Sequence, residues 1–129
     1  DINRIVIDYK TGAQVSKNAW FNERCTDPQM PLYVMALECQ GIAFAKLHPK
    51  FLCFEGLSAH ESWAPGVNAI SQASRLPFQS WAELLVHWSN HLEALYLEFE
   101  KGVAKVSPQL GPITCQRCDL QAVCRVYQS

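Results

Sequence analysis

The sequence predicts an α/β fold. Three observations support this: a β-branched strand near the start, a helical segment after it, and a hairpin pattern followed by a long amphipathic helix. The 129 residues suit one domain, and an apolar content of 49% suffices for a core. At 18%, the charged residues are too few for a disordered tail.

The first predicted element is a short, mostly buried strand. Residues 4–8 read RIVID, a β-branched run that continues to Lys10 and stops at the turn signal of residues 11–12. The chain opens at Asp1 without a methionine. We therefore expect it to be a section of a longer protein.

A helix is predicted next, beginning at residues 26–28. Thr26 or Asp27 supplies a capping side chain, and Pro28 suits the first helical position. Gly41 is expected to end the helix. The apolar residues that recur at helical spacing are Met30, Tyr33, Val34 and Leu37.

The middle of the chain predicts a β-hairpin and then a loop. Residues 42–47 and 51–57 are apolar-rich runs joined by a turn at residues 48–50. From residue 58 to residue 79 the pattern changes to small and polar residues, which predicts a long surface loop with room for a short turn of helix.

The strongest helix signal begins after residue 79. Ser80 is the predicted N-cap, and the helix is expected to end before Gly102. Its apolar stripe is predicted to be core: Trp81, Leu84, Leu85, Trp88, Leu92, Leu95, Tyr96 and Phe99. Residues 108–112 form a linker to residues 113–129, which we call the cysteine tail.

Charge and cysteine placement restrict the function classes. The net charge is −1, which argues weakly against a free-standing nucleic-acid binder. No apolar run approaches the roughly 20 residues that a membrane helix needs. Cys39 and Cys53 lie in apolar segments as expected for core thiols. The clustered cysteines of the tail suggest a metal site in a reducing, cytoplasmic compartment.

Two residues at the end of the first strand carry possible chemistry. Asp8 and Lys10 are two apart and therefore project from the same face. A carboxylate suits Mg²⁺, and an adjacent lysine can orient or deprotonate a water, or stabilise phosphate charge. The alternative for an isolated D-x-K sequence is a solvated surface ion pair without a function.

The following helix adds two further candidates. Gln29 and Tyr33 are four residues apart, so they face the same way. Gln29 lies in the first turn, where free backbone N–H groups favour an anion such as phosphate. Taken alone, Tyr33 is equally compatible with core packing and Gln29 with a solvated position.

Together these residues resemble a known family. VIDYKTG followed by QMPLY is similar to two motifs of the RecB/AddB-type nuclease domain of the PD-(D/E)xK superfamily, and the resemblance extends from Arg4 to Arg125. It implies a restriction-endonuclease-like core with a central mixed β-sheet flanked by helices. We expect that core to be incomplete at its N-terminus.

The resemblance also implies roles for individual residues. Asp8 would be a metal-binding carboxylate for Mg²⁺ or Mn²⁺, and Lys10 the catalytic lysine. Gln29 and Tyr33 would position Lys10, water or the substrate phosphate. The family's earlier acidic motif has no counterpart here, and Asp1 is not assigned as a ligand. The chain alone is therefore expected to be a poor or inactive nuclease.

The cysteine tail resembles the family's iron–sulfur segment. Cys115, Cys118 and Cys124 would be three ligands of a [4Fe–4S] cluster, with a fourth cysteine upstream. Cys25, Cys39 or Cys53 is the alternative source of that ligand. Without it we expect the cluster to be absent or incomplete in this chain.

The sequence supports one leading hypothesis and two alternatives. Residues 1–112 would be the C-terminal part of a Mg²⁺-dependent deoxyribonuclease of the exonuclease type, acting in DNA repair beside a helicase, and residues 113–129 its cysteine tail. The second hypothesis is a non-catalytic module that binds DNA or braces a helicase. The third is a small zinc module built on the tail.

Overall fold

The structure is a computed structural model that describes residues 4–12, 15–73 and 76–127. The chain forms two compact units, Asp1–Leu95 and Tyr96–Ser129. Asp1 itself lies outside the described residues. The functional division at residues 112 and 113 stays a prediction.

The first unit contains a mixed sheet of four described strands in the order β1-β2-β3-β4. The strands are β1 (Ile5–Lys10), β2 (Gly41–His48), β3 (Phe51–Ser58) and β4 (Val67–Ala69). β1 is parallel to β2, β2 antiparallel to β3, and β3 parallel to β4. The predicted α/β fold with a mixed sheet flanked by helices is confirmed.

The helices are α1 (Gln29–Ala36), α2 (Trp81–Glu100), α3 (Pro112–Cys115) and α4 (Gln121–Cys124). Two 3₁₀ turns, Lys17–Trp20 and Ile70–Gln72, lie between strands and helices. None of the described helices is both long enough and apolar enough to cross a membrane.

One sheet face forms the core of the first unit. Phe44 of β2 is fully buried, and its ring lies 4.4 Å from that of Trp20. Trp88 of α2 donates a hydrogen bond from Nε1 to the Trp20 carbonyl at 2.9 Å. Because Asp8 pairs with Phe44 in the β1–β2 register, Asp8 lies on this same face.

The prediction that Thr26 or Asp27 caps the N-terminus of α1 is wrong. The helix begins at Gln29, with Pro28 at the N-cap and no capping side chain. The Thr26 hydroxyl instead donates to the Ala19 carbonyl at 3.3 Å. Asp27 contacts β1, so both predicted caps are engaged in tertiary contacts.

Gly41 does not end α1, because it is the first residue of β2. Glu38 closes the helix in the left-handed region, at φ 51°. The backbone N–H groups of Glu38 and Cys39 donate to Met35 and Val34, a Schellman-type closure.

The predicted loop at residues 58–79 contains β4 and the second 3₁₀ turn. Three strand residues are too few to produce a detectable alternating pattern. The hairpin prediction is confirmed, with β2 and β3 paired from Gly41–Ser58 to His48–Phe51.

The predicted apolar stripe of α2 is core over its first half only. Trp81, Leu84 and Trp88 are buried, whereas Leu95, Tyr96 and Phe99 are exposed. Ser80 is confirmed as the cap, since its Oγ accepts from the Glu83 N–H at 3.2 Å. Cys39 is buried as predicted, but Cys53 is exposed.

Candidate active site at the end of the first strand

The carboxyl end of β1 places two charged side chains beside the core. Asp8 and Lys10 point to the same sheet face, and Asp8 Oδ2 lies 2.8 Å from Lys10 Nζ. The ammonium also stands 5.3 Å from the centroid of the buried Phe44 ring. Each side chain is about one-third exposed, so this ion pair can be reached from solvent.

A second carboxylate reaches the same lysine. Asp27 Oδ2 lies 3.8 Å from Lys10 Nζ, because the segment before α1 runs beside the end of β1. The sequence interpretation used Asp27 as a helix cap and missed this contact. Its position two residues before Gln29 was the available signal, since the family resemblance implies that Gln29 helps to position Lys10.

The two carboxylates determine the protonation of the lysine. The hydrogen bond that Lys10 donates to Asp8 raises the pKa of Lys10, burial opposes this, and the negative charges of Asp8 and Asp27 raise the pKa further. Lys10 is therefore protonated near neutral pH in this arrangement. It can donate hydrogen bonds and stabilise negative charge, but it has no free lone pair to accept a proton.

Gln29 and Tyr33 form a separate pair on the first turns of α1. Gln29 Nε2 donates to the Tyr33 hydroxyl at 3.1 Å, and both residues are exposed. The four-residue spacing predicted that they share a face, and the hydrogen bond agrees with this. The described contacts join Gln29 to Tyr33 and Asp8 to Lys10 as two distinct pairs.

A further ion pair lies on the neighbouring strands. Lys46 of β2 is paired in register with Lys10, and its ammonium contacts Glu55 of β3. Glu55 is also fixed by the backbone N–H of Lys17, which donates to Oε1 at 3.1 Å. The sequence interpretation did not single out this pair, because its partners lie on different strands.

The donor set at the end of β1 fits a hard divalent cation. Mg²⁺ is commonly held by one or two carboxylates, with waters and substrate phosphates completing its shell. Asp8 and Asp27 are two such carboxylates around one ammonium. Within the described ranges, no three His, Cys, Asp or Glu side chains form a group that could hold a metal ion.

The three cysteines of the tail line one cavity of about 220 Å³ in the second unit. Cys115 is partly buried, while Cys118 and Cys124 are exposed. They share this cavity without forming a group that could hold one ion. Their described arrangement therefore does not fit a preformed iron–sulfur or zinc site, which uses four ligands.

A carboxylate that can ligand a metal ion and a lysine that can stabilise phosphate charge, both reachable from solvent, are compatible with metal-assisted hydrolysis of a phosphodiester. The family model of the PD-(D/E)XK nuclease superfamily matches residues 1–125. The chain belongs to this superfamily, which implies a nuclease-like function with DNA as substrate. Among curated proteins and solved structures, none matches the chain significantly.

Proposed function

We propose that this chain is the C-terminal section of a RecB/AddB-type deoxyribonuclease of the exonuclease type that acts in DNA repair beside a helicase. The observation that supports this most directly is the contact of Asp8 and Asp27 with Lys10 at the end of β1. Because the chain belongs to a nuclease superfamily, we assign phosphodiester hydrolysis to this cluster of two carboxylates and one lysine.

Asp8 is the proposed metal ligand, with Asp27 as a second carboxylate. When bound, Mg²⁺ or Mn²⁺ supplies Lewis-acid stabilisation of charge on the phosphate oxygens. Lys10 holds both carboxylates at one place, because its ammonium contacts each of them. Their mutual repulsion is thereby reduced before a cation arrives.

Lys10 acts as a cation rather than as a base in this proposal. Its pKa is raised by Asp8, so it carries a proton at neutral pH. A protonated amine near the scissile phosphate stabilises the negative charge that develops there, and it can orient an attacking water by hydrogen bonding.

Gln29 and Tyr33 are proposed to position the substrate. The Gln29 amide lies at the N-terminus of α1, where the helix dipole favours a phosphate. Its hydrogen bond to the Tyr33 hydroxyl fixes the amide and leaves both residues accessible to DNA. Neither group has to transfer a proton for this role.

Isosteric substitution tests the proposal in the protein that contains this sequence. Asp8→Asn should abolish Mg²⁺-dependent degradation of end-labelled duplex DNA, since it removes the ligand charge. Lys10→Met should slow degradation at least about a hundredfold, the usual effect of losing a positioned electrostatic group. The matched controls Asp119→Asn and Lys50→Met alter exposed charges outside the cluster and should leave the rate unchanged.

The alternative is a non-catalytic module that binds DNA or braces a helicase. It is favoured by the absence, within the described residues, of a group of three potential metal ligands. Under this alternative the two cluster variants and the two control variants all degrade DNA at the rate of the unmodified protein. Normal degradation by Asp8→Asn would remove the catalytic assignment and support the module.

We also propose that the cysteine tail contributes three thiolates to a [4Fe–4S] cluster completed by a fourth cysteine, in a cytoplasmic protein. The support is the sequence resemblance, because the described cysteines line one cavity without forming a group that could hold an ion. Cys118→Ser in the protein that contains this sequence should remove the visible iron–sulfur absorbance. Unchanged absorbance would contradict the proposed cluster.

A further inference from the structure

The tip of the β2–β3 hairpin extends past the end of β1. Lys10, the last residue of β1, pairs in register with Lys46 of the parallel strand β2. β2 and β3 continue beyond this point to His48 and Phe51, the last pair before the hairpin turn. With a rise of about 3.3 Å per residue, the tip projects roughly 7 Å past Lys10. It does so at the end of the sheet where the candidate active site lies.

The two aromatic side chains at this tip share the sheet face of the candidate active site. Successive side chains of a strand point to opposite faces, so His48 lies on the same face as Lys46, two residues earlier. Lys46 shares that face with its register partner Lys10. Phe51 is the register partner of His48 and lies on the same face, whereas the next residue, Leu52, points to the opposite one.

His48 and Phe51 form one flat aromatic surface. Their ring centroids lie 4.6 Å apart and their planes are inclined by 20°, which is a stacked arrangement. The backbone N–H of Lys50 donates to His48 Nδ1 at 3.2 Å and holds the imidazole in place. The stacked pair is therefore already formed before any ligand binds.

The second face of the Phe51 ring is open to solvent. His48 covers one face of this ring, yet Phe51 is 39% exposed. β4 pairs only with Gly56–Ser58, at the other end of β3, so no strand of the described sheet lies beside Phe51. The exposed area therefore includes the ring face that is turned away from His48. An accessible aromatic face is the surface on which an unpaired nucleic-acid base stacks.

We propose that Phe51, backed by His48, stacks against an unpaired base of a DNA strand that has a phosphate at the Asp8–Lys10 pair. Two strand spacings and two residues along the strand separate Phe51 from Lys10 by about 12 Å, the length of three to four stacked nucleotides. Because every base has a π-face, this contact tolerates any sequence. The placement of the strand rests on the nuclease function proposed above and on DNA as the superfamily's substrate.

A base fits this surface better than an aliphatic side chain of a partner protein does. The two stacked rings offer a flat area, and a planar base contacts such an area over its whole face, whereas a branched aliphatic group contacts only part of it. The remaining alternative is a cross-strand aromatic pair that only stabilises the hairpin. Under that alternative, DNA with bases and DNA without them bind equally.

Binding of two octanucleotides to the full chain tests the proposal, with EDTA present to prevent metal-dependent hydrolysis. One is octathymidylate, and the other has the same phosphates with an abasic sugar at every position. In fluorescence anisotropy of an end label, the wild type should bind octathymidylate at least about fivefold more tightly, the lower limit for stacking of one base. Phe51→Val keeps a strand-favouring residue and should bind octathymidylate as weakly as the abasic octamer. Its affinity for the abasic octamer should equal that of the wild type.

Two matched variants control for the ring and for the face of the sheet. Phe51→Tyr keeps the aromatic ring, and Leu52→Ala removes a side chain that is 77% exposed on the opposite face, so both should retain the preference for octathymidylate. If Phe51→Val also loses affinity for the abasic octamer, Phe51→Leu, which is closer in size, replaces it in the comparison.

The stacking proposal is overturned if the wild type does not prefer octathymidylate, or if the non-aromatic variant keeps the preference. It is also overturned if Phe51→Tyr or Leu52→Ala loses the preference as the non-aromatic variant does. Failure of the proposed nuclease function gives a different result, because Asp8→Asn then degrades DNA normally while the base preference, measured without a metal ion, is intact.

Discussion

The two compact units are stabilised in different ways. The first unit buries a continuous set of apolar side chains between its sheet and helices, including Trp20, Phe44 and Trp88. In the second unit, no described residue from Tyr96 to Tyr127 is buried, and α3 and α4 have four residues each. Buried apolar side chains therefore stabilise the first unit. The described residues of the second unit bury none, so interactions other than a hydrophobic core have to stabilise it.

Among substitutions that compare the two units, Trp88→Ala should cause the largest change in the free energy of unfolding. It removes a fully buried indole and its hydrogen bond to Trp20, so unfolding should require about 3–5 kcal/mol less. Urea denaturation followed by tryptophan fluorescence measures this, because all four tryptophans precede residue 96. Phe99→Ala, at an 86% exposed position, should change the free energy of unfolding by less than about 0.5 kcal/mol.

Glu38 and Arg125, the two non-glycine residues with positive φ among the described residues, allow a direct comparison of the units. Glu38→Gly should raise the unfolding free energy of the first unit by about 1 kcal/mol, since glycine relieves the strain at φ 51°. Arg125→Gly relieves similar strain in the second unit and should leave the fluorescence transition unmoved. A smaller unfolding free energy for Glu38→Gly would show that the carboxylate stabilises the free protein.

The free energy of unfolding of the first unit should also depend on pH through His87. Burial lowers the pKa of His87, and the neighbouring His91 lowers it further. The unfolded chain then binds more protons, so the stability contribution is complete above pH 6.5 and is lost as the pH falls through the lowered pKa. Denaturation midpoints between pH 7 and pH 5 should fall less in His87→Gln than in the wild type.

The smallest effect is expected from the cysteines. Cys118→Ser in the isolated chain should change the fluorescence transition by less than about 0.5 kcal/mol, because Cys118 is exposed in a unit without a core. A larger shift would mean that the cysteine tail stabilises the first unit. Loss of bound zinc on removal of residues 113–129, with the fluorescence transition of the first unit unchanged, would show that the tail forms an independent zinc module.

The sequence predicted those elements whose patterns are long and local. The hairpin, the capped start of α2 and the strand ending in Asp8 and Lys10 each follow from periodicity or a turn signal. Asp27 was incorrectly predicted to cap α1, because Asp-Pro before a helix is also the pattern of an N-terminal cap. Its contact with Lys10 depends on how α1 docks against β1.

Other features could not be predicted because they depend on what surrounds a segment. Leu95 and Phe99 continue the helical stripe of Trp88, but only the first half of α2 lies against the sheet core. Glu38 gave no sign of a left-handed conformation, since glutamate rarely adopts one.

The position of β1 at the end of the described sheet has a consequence for handling the isolated chain. Its free edge offers unpaired N–H and C=O groups, and the side chains on its outer face, Ile7 and Tyr9, are 41% and 69% exposed. Asp8 and Lys10 point to the opposite face and give that surface no protective charge. Such an edge is a template for intermolecular strand pairing, so aggregation should increase steeply with protein concentration. Tyr9→Lys would place a charge on the outer face and keep the protein dispersed without altering the β1–β2 hydrogen bonds.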